Sequence, residues 1–210
     1  MKRELIILVA DGTMSAVLRA FFERQFHYVV ACAPFGFDPT TDIVYDPLNT
    51  DGGVHRRCHV ILRPYINTHR RALVILDQQF GAERPADEVR SDIEERLSAN
   101  GWDERAAAVV IDPELEVLLW QDNPNVERAL RYSGPSLRQL LAQDGRWPPD
   151  TAKPPAPKEV MRAVMRANRA GAPMVVYSQI ARTVSTAGCV DPAFHRVRDM
   201  LRAWFPVGGV

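Results

Sequence analysis

A chain of 210 residues, 46% of them hydrophobic, is long enough for one sizeable core with or without an appendage. Its 26 Lys and Arg balance 26 Asp and Glu, so the total charge gives no argument for a nucleic-acid or membrane partner. The charge is unevenly spread. From Thr151 onward nine basic residues stand against three acidic ones, whereas the preceding stretch holds 17 and 23. An acidic body therefore carries a basic tail, and the neutral sum admits docking of one on the other.

Three cysteines, Cys32, Cys58 and Cys189, lack CxxC spacing and read as unpaired thiols of a reducing cytosol. The start "MKRELIILVA" meets Asp11 with no small-residue cleavage site after it, and no apolar run reaches membrane-spanning length. The expectation is a cytoplasmic protein without a membrane partner.

Leu5 to Ala10 is a continuous apolar run, the pattern of a central parallel strand covered on both faces. "DGT" turns the chain, and Ala16, Val17, Ala20 and Phe21 recur at helical spacing. "HYVVACA", His27 to Ala33, reads as a second strand. The following "PFGFDPTTDIVYDPLNTDGG" reads as a loop long enough to reach over a site. Val54, Cys58, Ile61, Leu62, Tyr65 and Ile66 predict a helix that Pro64 kinks or ends.

Ala72 to Leu76 predict a third strand that delivers Asp77 to its carboxyl end, and "PADEVRSDIEERLSANG" a helix with an acidic first turn and a glycine stop. "AAAVVID" makes a fourth strand. Short helices are expected over "PELEVLLW", with Pro113 at the first helical position, "NPNVERALRY" and "PSLRQLLAQ". A proline-rich arm at 147–157 leads to three tail helices, "KEVMRAVMRANR", "YSQIARTVS" and "PAFHRVRDMLRAWF". The alternation implies an α/β fold: a Rossmann-like, mainly parallel sheet flanked by helices over 1–134, and a helical C-terminal extension over 135–210.

Ligands of an open parallel sheet bind beyond the carboxyl ends of its strands. Asp11, Asp77, Asp112, Glu114 and Glu116 fall there. Carboxylates converging on one rim hold a divalent cation, with water and phosphate completing its coordination; each taken singly is also an ordinary helix cap or turn former. "VADGTMS" is similar to the first motif of haloacid dehalogenase phosphatases, but Val9 stands where the nucleophilic aspartate belongs, which removes phosphoenzyme chemistry. No Gly-Lys-Ser/Thr follows strand one, and no organic cofactor is expected.

"HRRCH" sets His55 and His59 one helical turn apart beside Cys58. The glutamate of the zinc-protease motif is missing and Arg56 and Arg57 intervene, so this reads as a basic helix face. Arg162, Arg166 and Arg169 recur at helical spacing on one tail helix. They are candidates for binding nucleic acid or a partner, or for docking on the acidic body.

The loop after strand one, "LVILD" in strand three, and above all "IDPELEVLLWQDNPNVERAL" together resemble the small bacterial Toprim-like proteins, relatives of the Toprim domain in overcoming-lysogenization-defect nucleases. Glu114, Leu115 and Glu116 keep that family's Glu-Leu-Glu segment, with Trp120 and Asp122 downstream. "PKEVMRAV" and "DPAFHRVRDML" are similar to its lysine-containing helix start and its final Phe-bearing helix.

The resemblance implies a Toprim-like fold and a bacterial anti-phage role as a nuclease dependent on magnesium or manganese. Asp11 and Asp77 would be catalytic, Asp77, Glu114 and Glu116 would be metal ligands, and the partners would be nucleic acid and other defence-system proteins, ATPase or nuclease subunits. Three positions depart from the family pattern: Asp11 replaces a glutamate, Met14 the second acid of that loop, and Gln79 the second aspartate of strand three. Each lost charge weakens the hold on a hard cation. The alternative is therefore a catalytically degenerate scaffold subunit in a multi-protein complex; a nucleotide-binding sensor using the same rim is a third reading.

Overall fold

The computed structural model describes residues 2–48, 50–81 and 84–208. Among the described residues four strands, β1 (Arg3–Val9), β2 (Ile43–Tyr45), β3 (His69–Asp77) and β4 (Ala106–Ile111), form one all-parallel sheet in the order β2-β1-β3-β4. Leu5 to Val9 and Ala72 to Leu76 are fully or almost fully buried. Both runs are apolar without alternation because helices cover both faces of the sheet.

β1 leads through α1 (Gly12–Phe22), α2 (Phe26–Val30) and α3 (Pro39–Asp42) to β2 on one side of it. Helix α4 (Asp51–Leu62) then carries the chain back to β3 on the other side, and α5 (Ala86–Leu97) leads on to β4. The winding thus reverses between β1 and β3. The crevice at the carboxyl ends of those two strands is where a doubly wound sheet receives its ligands.

Among the described residues six further α-helices follow: α6 (Glu116–Leu119), α7 (Pro124–Ala129), α8 (Leu137–Gln143), α9 (Pro157–Ala167), α10 (Pro173–Thr183) and α11 (Pro192–Trp204). The α/β class and the parallel sheet expected from the sequence are present, and Pro64 lies in a 3-10 turn directly after α4.

Two elements differ from expectation. His27 to Ala33 is not a strand: Phe26–Val30 forms a short helix that ends at Ala31 in the left-handed region. Its burial follows a helical interval, with Phe26 and Val30 inside and Tyr28 outside, a pattern that alternation cannot produce. The edge strand is instead Ile43–Tyr45, three residues within the segment expected to be a loop. Pro113 does not open a helix either; the Asp112–Pro113 peptide is cis and α6 begins at Glu116.

The basic tail docks on the acidic body. α10 runs parallel to α1, with Met174 beside Gly12 at one end and Arg182 ion-paired to Glu23 at 3.0 Å near the other. Arg202 Nε donates to the Val30 carbonyl at 2.6 Å, and Phe205 stacks on Phe35 with 3.7 Å between ring centroids. The proline-rich arm is pinned by Trp147 Nε1, which donates to the Thr151 carbonyl at 3.1 Å, and by Trp120 Nε1, which donates to the Pro157 carbonyl at 2.8 Å.

The outer edge of β4 is closed by side chains. Ala108 N–H donates to Glu94 Oε1 at 2.9 Å, while Arg196 of α11 donates to the Ala108 carbonyl at 2.8 Å and to Glu94 Oε1 at 2.6 Å. Glu94 and Arg196 together satisfy both backbone groups of a fully buried residue that has no strand beyond it. Glu94→Ala leaves the Ala108 N–H unsatisfied and is expected to lower stability by about 1–3 kcal/mol in urea unfolding. Arg196→Ala added to it should cost clearly less than on its own; strictly additive losses would refute the three-way contact.

Candidate acidic site at the switch point

The register sets Val9 beside Ile75 and Asp77 beside Ile111, so Asp11 and Asp77 emerge on the same rim of the sheet. Asp11 is exposed, and its Oδ1 accepts the Met14 N–H at 2.8 Å as the cap of α1. Asp77 closes β3. Its backbone N–H donates to Asp51 Oδ1 at 2.8 Å, which brings the first turn of α4 onto the rim. Gly52 allows this approach: a Cβ there would lie 3.2 Å from the Phe80 ring, just beyond β3.

The next two carboxylates lie inside. Glu114 is 3% exposed; its Oε1 accepts the Lys158 backbone N–H at 2.9 Å and its Oε2 accepts Lys158 Nζ at 3.2 Å. Glu116 is 4% exposed and accepts a hydrogen bond from the buried Tyr177 hydroxyl at 3.0 Å. The tail therefore supplies three donor groups to the rim, two from Lys158 of α9 and one from Tyr177 of α10.

The electrostatics follow from crowding acids in a poorly solvated place. Burial pushes Asp77 up, the charges of Asp51, Glu116 and Glu114 add to it, and the carboxyl reaches about 8 despite the pull of Lys158. Burial likewise raises Asp51, with the Asp77 N–H and Lys158 opposing it and Asp11 adding to it. Glu116 is raised by burial against the counter-pull of Lys158. Burial alone would lower Lys158, but the negative field of Glu116, Glu114 and Asp77 outweighs it and holds the ammonium charged. Tyr177 is raised by burial and by Glu116, which keeps its proton on the phenol.

One atom stands out. Asp77 Oδ1 is buried without a hydrogen-bond partner among the described residues. Such an oxygen calls for a proton or a cation. Among the described residues no three His, Cys, Asp or Glu side chains are grouped closely enough to enclose a metal ion. Magnesium does not need such a cage: it commonly takes one or two carboxylates and completes its shell with water and substrate phosphate. Asp77 and Asp51 fit that pattern, whereas both oxygens of Glu114 are engaged by Lys158.

Of the residues that sequence reasoning singled out, Asp11, Asp77, Glu114 and Glu116 are brought to one rim. Asp112 is exposed and faces a separate cavity with Asp191, while Gln79 is exposed and Met14 is core. Arg162 and Arg166 lie exposed on α9, whereas Arg169, also exposed, lies past the helix end at Ala167 with a φ of 49°, so the three do not share one helix as the spacing predicts; the charge of Arg162 acts on Tyr177. Around "HRRCH", Cys58 is buried and pushed up to about 11, and burial lowers both His55 and His59.

Asp51, Lys158 and Tyr177 were missed as site residues. Asp51 had a signal, since "TDGG" ahead of an apolar helical run is a helix start. Tyr177 had none, because its place depends on how the tail docks.

A raised carboxyl binds its proton more tightly folded than unfolded, so Asp77 favours the folded state below its unfolded value near 3.8 and loses that contribution as pH rises toward 8. Asp77→Asn is therefore expected to match the wild-type melting temperature at about pH 4 and to exceed it increasingly up to about pH 8. Equal melting temperatures across that range would show that Asp77 is not buried among the other acids.

Comparison with family models, curated proteins and solved structures returns no match, so the chemistry of this chain has to be read from the rim itself.

Proposed function

We propose that the rim is a Toprim-like acidic site that hydrolyses nucleic-acid phosphodiesters with the help of magnesium or manganese, in a protein of bacterial anti-phage defence. The observation that carries the reading is the unpartnered, buried Asp77 Oδ1 beside Asp51 at the switch point of a doubly wound sheet. Asp77 and Asp51 would hold the cation, and Glu116 would support them from behind. When bound, the cation would supply charge for the phosphate and acidify a water.

The chain's own groups have separate tasks in this reading. Lys158, held by Glu114, offers a fixed positive charge where negative charge develops on phosphate oxygens. Asp11 is exposed, with one oxygen left over from capping α1, and would accept the proton of the attacking water. Glu114 is a positioning residue for Lys158.

A second reading has its own observation. Lys158 already neutralises the acids as a resident cation, and Asp77 near pH 7 is largely protonated. In that case the rim is a structural joint between tail and core, and the protein serves as a scaffold subunit for ATPase or nuclease partners. No helix among the described residues is long and apolar enough to cross a membrane, which agrees with either reading.

Calorimetric titration with magnesium and with manganese, followed by a cleavage assay on the same samples, separates the two. The enzyme reading expects binding that Asp77→Ala abolishes. It also expects cleavage that Lys158→Ala lowers by about 100-fold or more while metal binding persists. No binding up to millimolar metal, with no cleavage in manganese, would leave the scaffold reading.

A further inference from the structure

We propose that the substrate of this rim is a single strand of nucleic acid, gripped by a basic line on α9 and by the exposed ring of Tyr45; the proposal rests on the phosphodiester reading above. Lys158, Arg162 and Arg166 recur every four residues, so they share one face of α9 and step outward by about 6 Å at a time. The line begins inside the acidic site, where Lys158 meets Glu114. Its next member, Arg162, is close enough to bear on Tyr177 behind Glu116.

Arg162 and Arg166 are exposed, and no ion pair engages either guanidinium among the described residues. Several other tail arginines are taken: Arg182 by Glu23, Arg196 by Glu94, and Arg202 by the Val30 carbonyl. Docking the tail on the body thus consumes much of its basic charge, and Lys158 is held by Glu114, but Arg162 and Arg166 keep their guanidinium groups without an ion pair among the described residues. A polyanion whose charges recur along a flexible backbone complements it.

On the other side of the rim Tyr45 ends β2. It is 42% exposed, and its ring lies against Gly12, where a Cβ would touch it at 3.5 Å. Gly12 follows Asp11 directly. Met174, 46% exposed at the start of α10, borders the same spot. A partly exposed aromatic ring beside the rim offers a stacking surface to an unpaired base, and aromatic faces combined with a basic track are how single strands are held without sequence readout. A duplex keeps its bases inside and cannot use Tyr45.

The experiment is fluorescence anisotropy with a labelled oligonucleotide, single-stranded and then annealed to its complement, in EDTA so that binding is read without cleavage. Wild-type protein is expected to bind the single strand more tightly. Arg162→Glu with Arg166→Glu should weaken that binding at least tenfold and flatten the dependence of log affinity on log salt by about 1.4. Tyr45→Ala should lose about tenfold on the single strand only, and Tyr45→Phe should restore it.

Equal binding of both forms, or an affinity unmoved by the arginine reversals, would overturn the proposal. The variants touch exposed side chains, and circular dichroism verifies their folding. Cleavage that persists with unaltered affinity in the arginine variants overturns this proposal and leaves the hydrolytic reading standing. Binding without metal uptake or cleavage removes the hydrolytic reading and leaves the strand-binding surface.

Discussion

Five carboxylates gathered at the top of a parallel sheet would drive one another apart, and the ammonium of Lys158, set in the field of Glu116, Glu114 and Asp77, offsets that repulsion. Its ion pair with Glu114 is supported by the backbone N–H of the same residue, so charge and hydrogen-bonding needs of a buried acid are met from one helix start. Because that start belongs to the tail, folding of the C-terminal helices and assembly of the rim are one event. Tyr177 on Glu116 and Trp120 on the Pro157 carbonyl add two neutral contacts across the same seam.

The rim is compensated but not saturated. Asp11 has one oxygen in a cap, Asp51 has one on the Asp77 N–H, and Asp77 has one without any partner. Burial and the neighbouring acids raise the Asp77 carboxyl to about 8, which favours a proton there, and a divalent ion would have to displace it. Met14 lies in the core and Gln79 is exposed, so neither adds an acid to the rim.

The strands with both faces covered were legible because burial on both sides writes itself as an unbroken apolar run, as in Leu5 to Val9 and Ala72 to Leu76. Amphipathic helices such as α5, with its acidic first turn, and α11 were legible from composition and spacing. β2 was not: three residues at a sheet edge have no period to read, and their register is set by β1. "HYVVACA" misled because β-branched and aromatic residues also fit a one-turn helix whose outer face is wet. Of the site, the strand-end acids were readable from position alone. Asp51, Lys158 and Tyr177 arrive from distant stretches of chain, and although Asp51 stands at a legible helix start, the docking of α4, α9 and α10 is what brings the three to the rim.

The closure of β4 by Glu94 and Arg196 has a bearing on how copies of this protein meet other chains. A sheet grows only at a free edge, and here one edge already has a carboxylate and a guanidinium occupying the groups that a visiting strand would need. The opposite edge offers three residues, too short a template for stable strand addition. Edge-to-edge polymerisation is thus blocked at both ends of the sheet, and assembly with other proteins is left to side-chain surfaces on the helices.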